Sequence, residues 1–198
     1  MINELIWWGF RYHEEGLRPG INLPLQLCDV AVWVTAIACI TLDGGAVEYS
    51  YFIGSAGASM ALLQPDLPSP WPSYPAVHFF LAHGGVICAI SAVVYGGAAK
   101  MRAWAVLRAF GFLMFWTGVV ALADFYLGGN YMYLRHKPPA ATLLDWLGEW
   151  PTYIEAAAMI VFLFFWIIWI PVRPTISMRH ARKSHWSHAT VDRESQPR

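Results

Sequence analysis

Long apolar runs alternate with short polar connections along most of the chain. Residues 23–42 form the first run, broken by Gln26 and Asp29. Asp43-Gly44-Gly45 predicts a tight turn, and residues 46–63 form the second run. The connection from Gln64 to Pro75 holds five prolines and cannot continue a helix. Residues 76–99 and 103–127 are the third and fourth runs, and Pro151 opens a fifth that ends near Ile170. A bilayer needs about 20 residues of helix, so the pattern predicts an all-α fold, a polytopic transmembrane bundle of about five spanning helices. Pro24 suits a first helical turn, where its missing N–H costs nothing. In the second run, Gly54 with Ala58 and Gly57 with Ala61 recur at a spacing that lets helix backbones approach closely in lipid.

The same pattern divides the chain into three parts. Residues 1–22 precede the membrane part. Their apolar stretch, Leu5 to Phe10, is too short to span and reads as an interfacial or truncated N-terminal helix. It has neither the basic start nor the small-residue cleavage site of a signal peptide. Residues 23–171 are the transmembrane helical domain. Residues 172–198 are basic, then mixed and polar, and are expected to be a disordered tail.

Composition agrees. The chain is 57% hydrophobic and 13% charged, against about 25% charged residues in soluble domains. Formal net charge is zero, so no nucleic acid or acidic partner is expected. Membrane lipids are the expected partners. Cys28, Cys39 and Cys88 all lie in apolar stretches without a Cys-x-x-Cys pair, which supports neither a disulfide framework nor a zinc site. No metal or other cofactor is expected. Many of the eleven tryptophans suit the two membrane–water interfaces.

Five spans put the chain ends on opposite sides. Lys100, Arg102, Arg173, Arg179, Arg182 and Lys183 share the tail side, against Arg11, Arg18, Arg135 and Lys137 on the other. The positive-inside rule therefore favours a multi-pass protein with a cytoplasmic C-terminus. On the opposite, outer side the starts of the first and third spans meet the end of the fourth. That places Gln26, Cys28, Asp29, Asp66, His78, His83, Asp124, Asn130 and Tyr131 in one leaflet or at its surface. Glu48 is the main such group in the inner half. Ionisable groups at membrane depth are costly, and a cluster in one leaflet predicts a polar pocket open to that side.

Each residue has a plain reading beside the functional one. Cys28 is either a nucleophile or an inert, small buried residue. His83 is a general base near neutral pH or a neutral histidine bonded to a neighbouring helix. Asp29 points about 100° away from Cys28 around a helix and shares a stripe with Gln26 and Trp33. It orients a histidine or bonds to a neighbouring helix rather than backing the thiol from the same face. Asp66 sits after Pro65 and suits a turn cap. Asn130 carries an amide able to hold a carbonyl oxygen or a backbone group, and Tyr131 and Tyr133 suit an aromatic belt. His180, His185 and His188 lie in the tail and are expected to be solvated.

Four segments together carry a resemblance: Leu23-Pro24-Leu25-Gln26-Leu27-Cys28-Asp29, Gln64-Pro65-Asp66-Leu67, Phe79-Phe80-Leu81-Ala82-His83-Gly84, and Gly129-Asn130-Tyr131-Met132-Tyr133-Leu134 with Lys137-Pro138. In this order they resemble the YwaF family of integral membrane proteins. That family is related to the animal transmembrane protein 164, an acyltransferase that builds polyunsaturated ether phospholipids. The resemblance implies a seven-helix fold of which this chain lacks the first helices. It also implies a catalytic pair, Cys28 and His83, passing an acyl group through a thioester. Gln26, Asp29, Asp66, Asn130 and Tyr131 match motif positions as substrate-binding or supporting residues. The implied function is a lipid acyltransferase, or a related acyl-processing enzyme, acting on a phospholipid or lysophospholipid. A non-enzymatic transporter or scaffold with a polar ligand pocket is the other class. Transporters show paired repeats, and the sequence has none.

Overall fold

In the computed structural model, residues 1–67, 69–139 and 142–172 are described. They form helices joined by turns, and no strand occurs among them. Helix α1 spans Ile2–Glu15, α2 Leu27–Thr41, α3 Gly44–Tyr49 and α4 Ser55–Leu63. A π-turn, Ser50–Gly54, joins α3 to α4 without a break, so residues 44–63 run as one helical rod. Helix α5 covers Tyr74–Tyr95, α6 Ala105–Leu127 and α7 Thr152–Trp169. Residues 173–198, with the tail histidines, lie outside the described residues.

Three of these helical stretches are long and apolar enough to cross a membrane: Tyr74–Tyr95, Ala105–Leu127 and Thr152–Val172. The other two apolar runs take the forms of α2, with 15 residues, and the rod of residues 44–63. The protein is a polytopic helical membrane protein.

The first run is helical over a shorter stretch than its apolar length suggests. Pro24 does not open α2; the helix begins three residues later, at Leu27. The Leu23 N–H donates to the Tyr131 hydroxyl at 2.8 Å, and the Leu25 N–H turns back to the Leu23 carbonyl at 2.8 Å. With these amides used locally, Gln26 stays extended as the N-cap. The next turn also falls earlier than Asp43-Gly44-Gly45. Leu42 takes a left-handed conformation (φ 55°) to end α2, and Asp43 then caps α3. Its Oδ1 accepts from the Gly45 and Ala46 amides at 2.9 and 3.0 Å.

The core lies between α2, the rod, α5, α6 and α7, around Ala38, Phe52, Ile90 and Phe165, each fully buried. Gly54 makes the close approach expected of small residues. A Cβ built there would sit 3.1 Å from Val86 Cγ1 and 3.8 Å from Ala31 Cβ. Helices α2, α4 and α5 therefore meet at a position that glycine fits without displacement.

The two ends of the bundle are fastened differently. At one end the buried Glu48 carboxylate accepts from Arg102 Nε at 3.0 Å and from Arg108 Nη2 at 2.7 Å, joining α3 to the start of α6. At the other end the connections bond to one another. Gln26 Oε1 accepts from the Met132 amide at 3.0 Å, Gln64 Oε1 from the Leu143 amide at 3.3 Å, and Tyr133 donates to Asp66 at 2.9 Å. That second end carries the candidate site.

Candidate functional site

Helices α1, α2, α4 and α5 enclose a cavity of about 320 Å³ at this end. Gln26, Cys28, Asp29, Asp66, His78 and His83 all line it, so residues distant in sequence converge as helix direction predicts. Asn130 and Tyr131 lie nearby but serve the walls. Asn130 donates to the His136 carbonyl at 2.9 Å and accepts from the Arg135 and His136 amides, closing its own loop. Tyr131 is buried; its hydroxyl donates to the Pro19 carbonyl and accepts from Leu23, fixing the approach to α2. Tyr133 lines the cavity instead, with its hydroxyl on Asp66. Burial, and then the adjacent Asp66 carboxylate, pushes the Tyr133 phenol up to about 12, so it remains a donor at neutral pH.

His83 is held in a defined state. Its Nδ1 lies 2.7 Å from the Phe79 carbonyl oxygen. A carbonyl only accepts, so Nδ1 carries the proton and the neutral ring keeps the Nε2 lone pair free. The ring also packs on Phe79, with centroids 4.3 Å apart. Cys28 is exposed on the cavity wall, and Asp29 beside it is buried. The two thus differ in environment as the 100° offset requires, although both reach the cavity. No hydrogen bond joins Cys28 to His83 among the described residues, and both line the same cavity. Asp29 Oδ2 is buried without a hydrogen-bond partner within the protein. A buried oxygen left this way is costly and is a natural place for a bound polar group.

Helix α1 completes the cavity, which its short apolar stretch did not reveal. Glu4, Trp7 and Arg11 all line it. Trp7 stacks on His78 with centroids 4.5 Å apart at 13°. The Asn3 amide nitrogen lies 2.8 Å from His78 Nδ1 and donates to it, which leaves the proton of neutral His78 on Nε2, 3.8 Å from the buried Glu4 carboxylate. Burial holds the Glu4 carboxyl above the usual carboxylate range. His78 is thereby occupied with docking α1, while Nε2 of His83 is not. The signal for α1 lay in its spacing: positions 4, 7 and 11 fall on one helical face.

No group of three histidine, cysteine or acidic side chains suited to a metal ion occurs among the described residues. The free lone pair, the sulfur and the unpartnered carboxylate instead suit proton transfer and nucleophilic chemistry.

Comparison with protein families matches the model of the TMEM164 family over residues 1–169. The chain belongs to the TMEM164 family. The match takes in α1 and extends through α7, so every wall of the cavity lies inside the TMEM164 region. No curated protein and no solved structure matches the chain.

Proposed function

We propose that this protein is a membrane-embedded lipid acyltransferase, or a closely related acyl-processing enzyme, in which Cys28 is the nucleophile and His83 the general base. One observation carries the reading: the Phe79 carbonyl fixes the His83 tautomer so that Nε2 is unprotonated in the cavity that Cys28 also lines. Family membership and the membrane-spanning helices support it.

Nε2 of His83 takes the Cys28 thiol proton as sulfur attacks the ester carbonyl of a phospholipid. The C–S bond forms, the ester C–O bond breaks, and the imidazolium returns its proton to the departing lysophospholipid oxygen. A lysophospholipid hydroxyl then attacks the thioester. His83 takes its proton, the C–S bond breaks, and the thiol is regenerated. Asp29, Gln26, Asp66 and Tyr133 line the polar space around the reacting ester. With the basic tail on the cytoplasmic side, the cavity opens to the outer leaflet.

Cys28→Ser tests this. A serine hydroxyl is far less acidic than a thiol and needs stronger activation. The variant is expected to insert normally and to lose both acyl transfer and any hydroxylamine-sensitive adduct, with Cys39→Ser as the unaffected control. A pocket used only for binding tolerates serine, so lipid profiles that never differ between wild type and Cys28→Ser overturn the enzymatic reading.

A further inference from the structure

We infer that the apolar groove between α4, α6 and α7 holds the acyl chain of the lipid whose carbonyl reacts at Cys28. The inference rests on the acyl-transfer reading and adds a second subsite to it.

The groove encloses about 480 Å³, within the ~300–1,000 Å³ span of small-molecule sites. Met60 of α4, Met114 of α6, and Val161 and Phe164 of α7 form much of its wall. Ala157 and Ala158 line it as well. Over the following turns α7 carries Ile160, Val161, Phe162 and Phe164, so these alanines are where the helix leaves space.

Two features decide the occupant. The first is continuity. Leu27, Ile53 and Gly57 line both the groove and the polar cavity, and Leu27 directly precedes Cys28. A Cβ added at Gly57 would meet Leu27 Cδ2 at 4.0 Å and, beyond its own helix, nothing nearer. The partition is therefore thin, and a chain attached at the Cys28 sulfur passes over it.

The second is chemistry. The groove carries four polar side chains, Ser59, Thr117, Tyr153 and Glu155, and two of them are already used. Thr117 donates to its own helix at the Leu113 carbonyl, 2.8 Å away, and the Tyr153 hydroxyl donates to the Tyr133 carbonyl. Apart from these four and Gly57, every lining side chain is apolar, so the groove offers a hydrocarbon chain extended contact. The adjoining cavity is the opposite, with Asp29 Oδ2 unpartnered. An ester at Cys28 thus sends its polar end toward α1 and its chain toward α7.

The test fills the groove and reads chain length. Detergent-purified full-length wild type, Ala158→Phe and Met114→Trp receive an equal mixture of octanoyl and oleoyl phospholipid donors. The acyl group on Cys28 is then released with hydroxylamine and identified by mass spectrometry. Met114 is 37% exposed, so the second variant keeps the test open if the first misfolds. The oleoyl-to-octanoyl ratio is expected to fall by at least ~10-fold in either variant, as pocket volume discriminates chain length. A ratio unchanged in both overturns the inference and leaves the groove to ordinary annular lipid, with the acyl-transfer reading intact. Wild type that forms no adduct with either donor overturns both.

Discussion

At the scale of single residues, the site turns on which ring nitrogen of His83 bears the proton. The Phe79 carbonyl settles that, and the preceding turn of the same helix supplies it. If the proposed acyl transfer holds, His83→Ala lowers its rate by about 10²–10⁴-fold, the usual contribution of a positioned base, with a smaller change in KM. Steady-state kinetics separates the two effects. Cys28, Asp29, Asp66 and His83 were legible because helix direction alone assigns depth. The role of Asn130 was not, because an amide satisfies a loop or a ligand equally well and the sequence does not show which backbone groups are free. Glu4, Trp7 and Arg11 were hidden for a different reason. A short amphipathic helix looks alike whether it lies on lipid or packs on a neighbouring helix. Here Trp7 packs on His78.

At the scale of elements, close approach and charge pairing hold the helices in place. Gly54 sits at a tight crossing, and a larger side chain would have to displace Val86. Gly54→Leu is expected to cost about 1–3 kcal/mol as overpacking. A fall in the thermal midpoint of the detergent-solubilised protein checks this. At the opposite end, Glu48 is 2% exposed and accepts from two guanidinium groups. Arg108→Met removes one of them and leaves the carboxylate less satisfied, with an expected cost of about 1–3 kcal/mol. Because Arg108 is itself 41% exposed, the lower half of that range is favoured by solvent screening. The pairing was not visible in the sequence, where Glu48 stood as the main ionisable group of the inner half with no partner assigned to it. The π-turn was also invisible, since its residues continue the apolar run without interruption.

At the scale of the whole molecule, α1 is a separate piece docked against α5. Glu4 is buried there beside His78, with Asp29 and Arg11 also within electrostatic reach of this region. Its carboxyl is raised, so the docked state favours the protonated form. The stabilisation is complete below the ordinary glutamate range and is lost as pH rises through the raised value. Glu4→Gln, neutral throughout, should match wild type in acid and exceed it in thermal midpoint at higher pH. A series of unfolding curves across that range measures the difference. The positions of the three cysteines have a further consequence. Cys28 and Cys39 stand near opposite ends of one helix, about 16 Å apart along its axis at ~1.5 Å per residue. Cys88 lies well inside α5, and all three cysteines are free thiols. Alkylation needs thiolate, and thiolate needs water. A membrane-impermeant maleimide applied to sealed vesicles should therefore mark Cys39 from one face only and spare Cys88, so that the unmodified protein reports its own orientation in the bilayer.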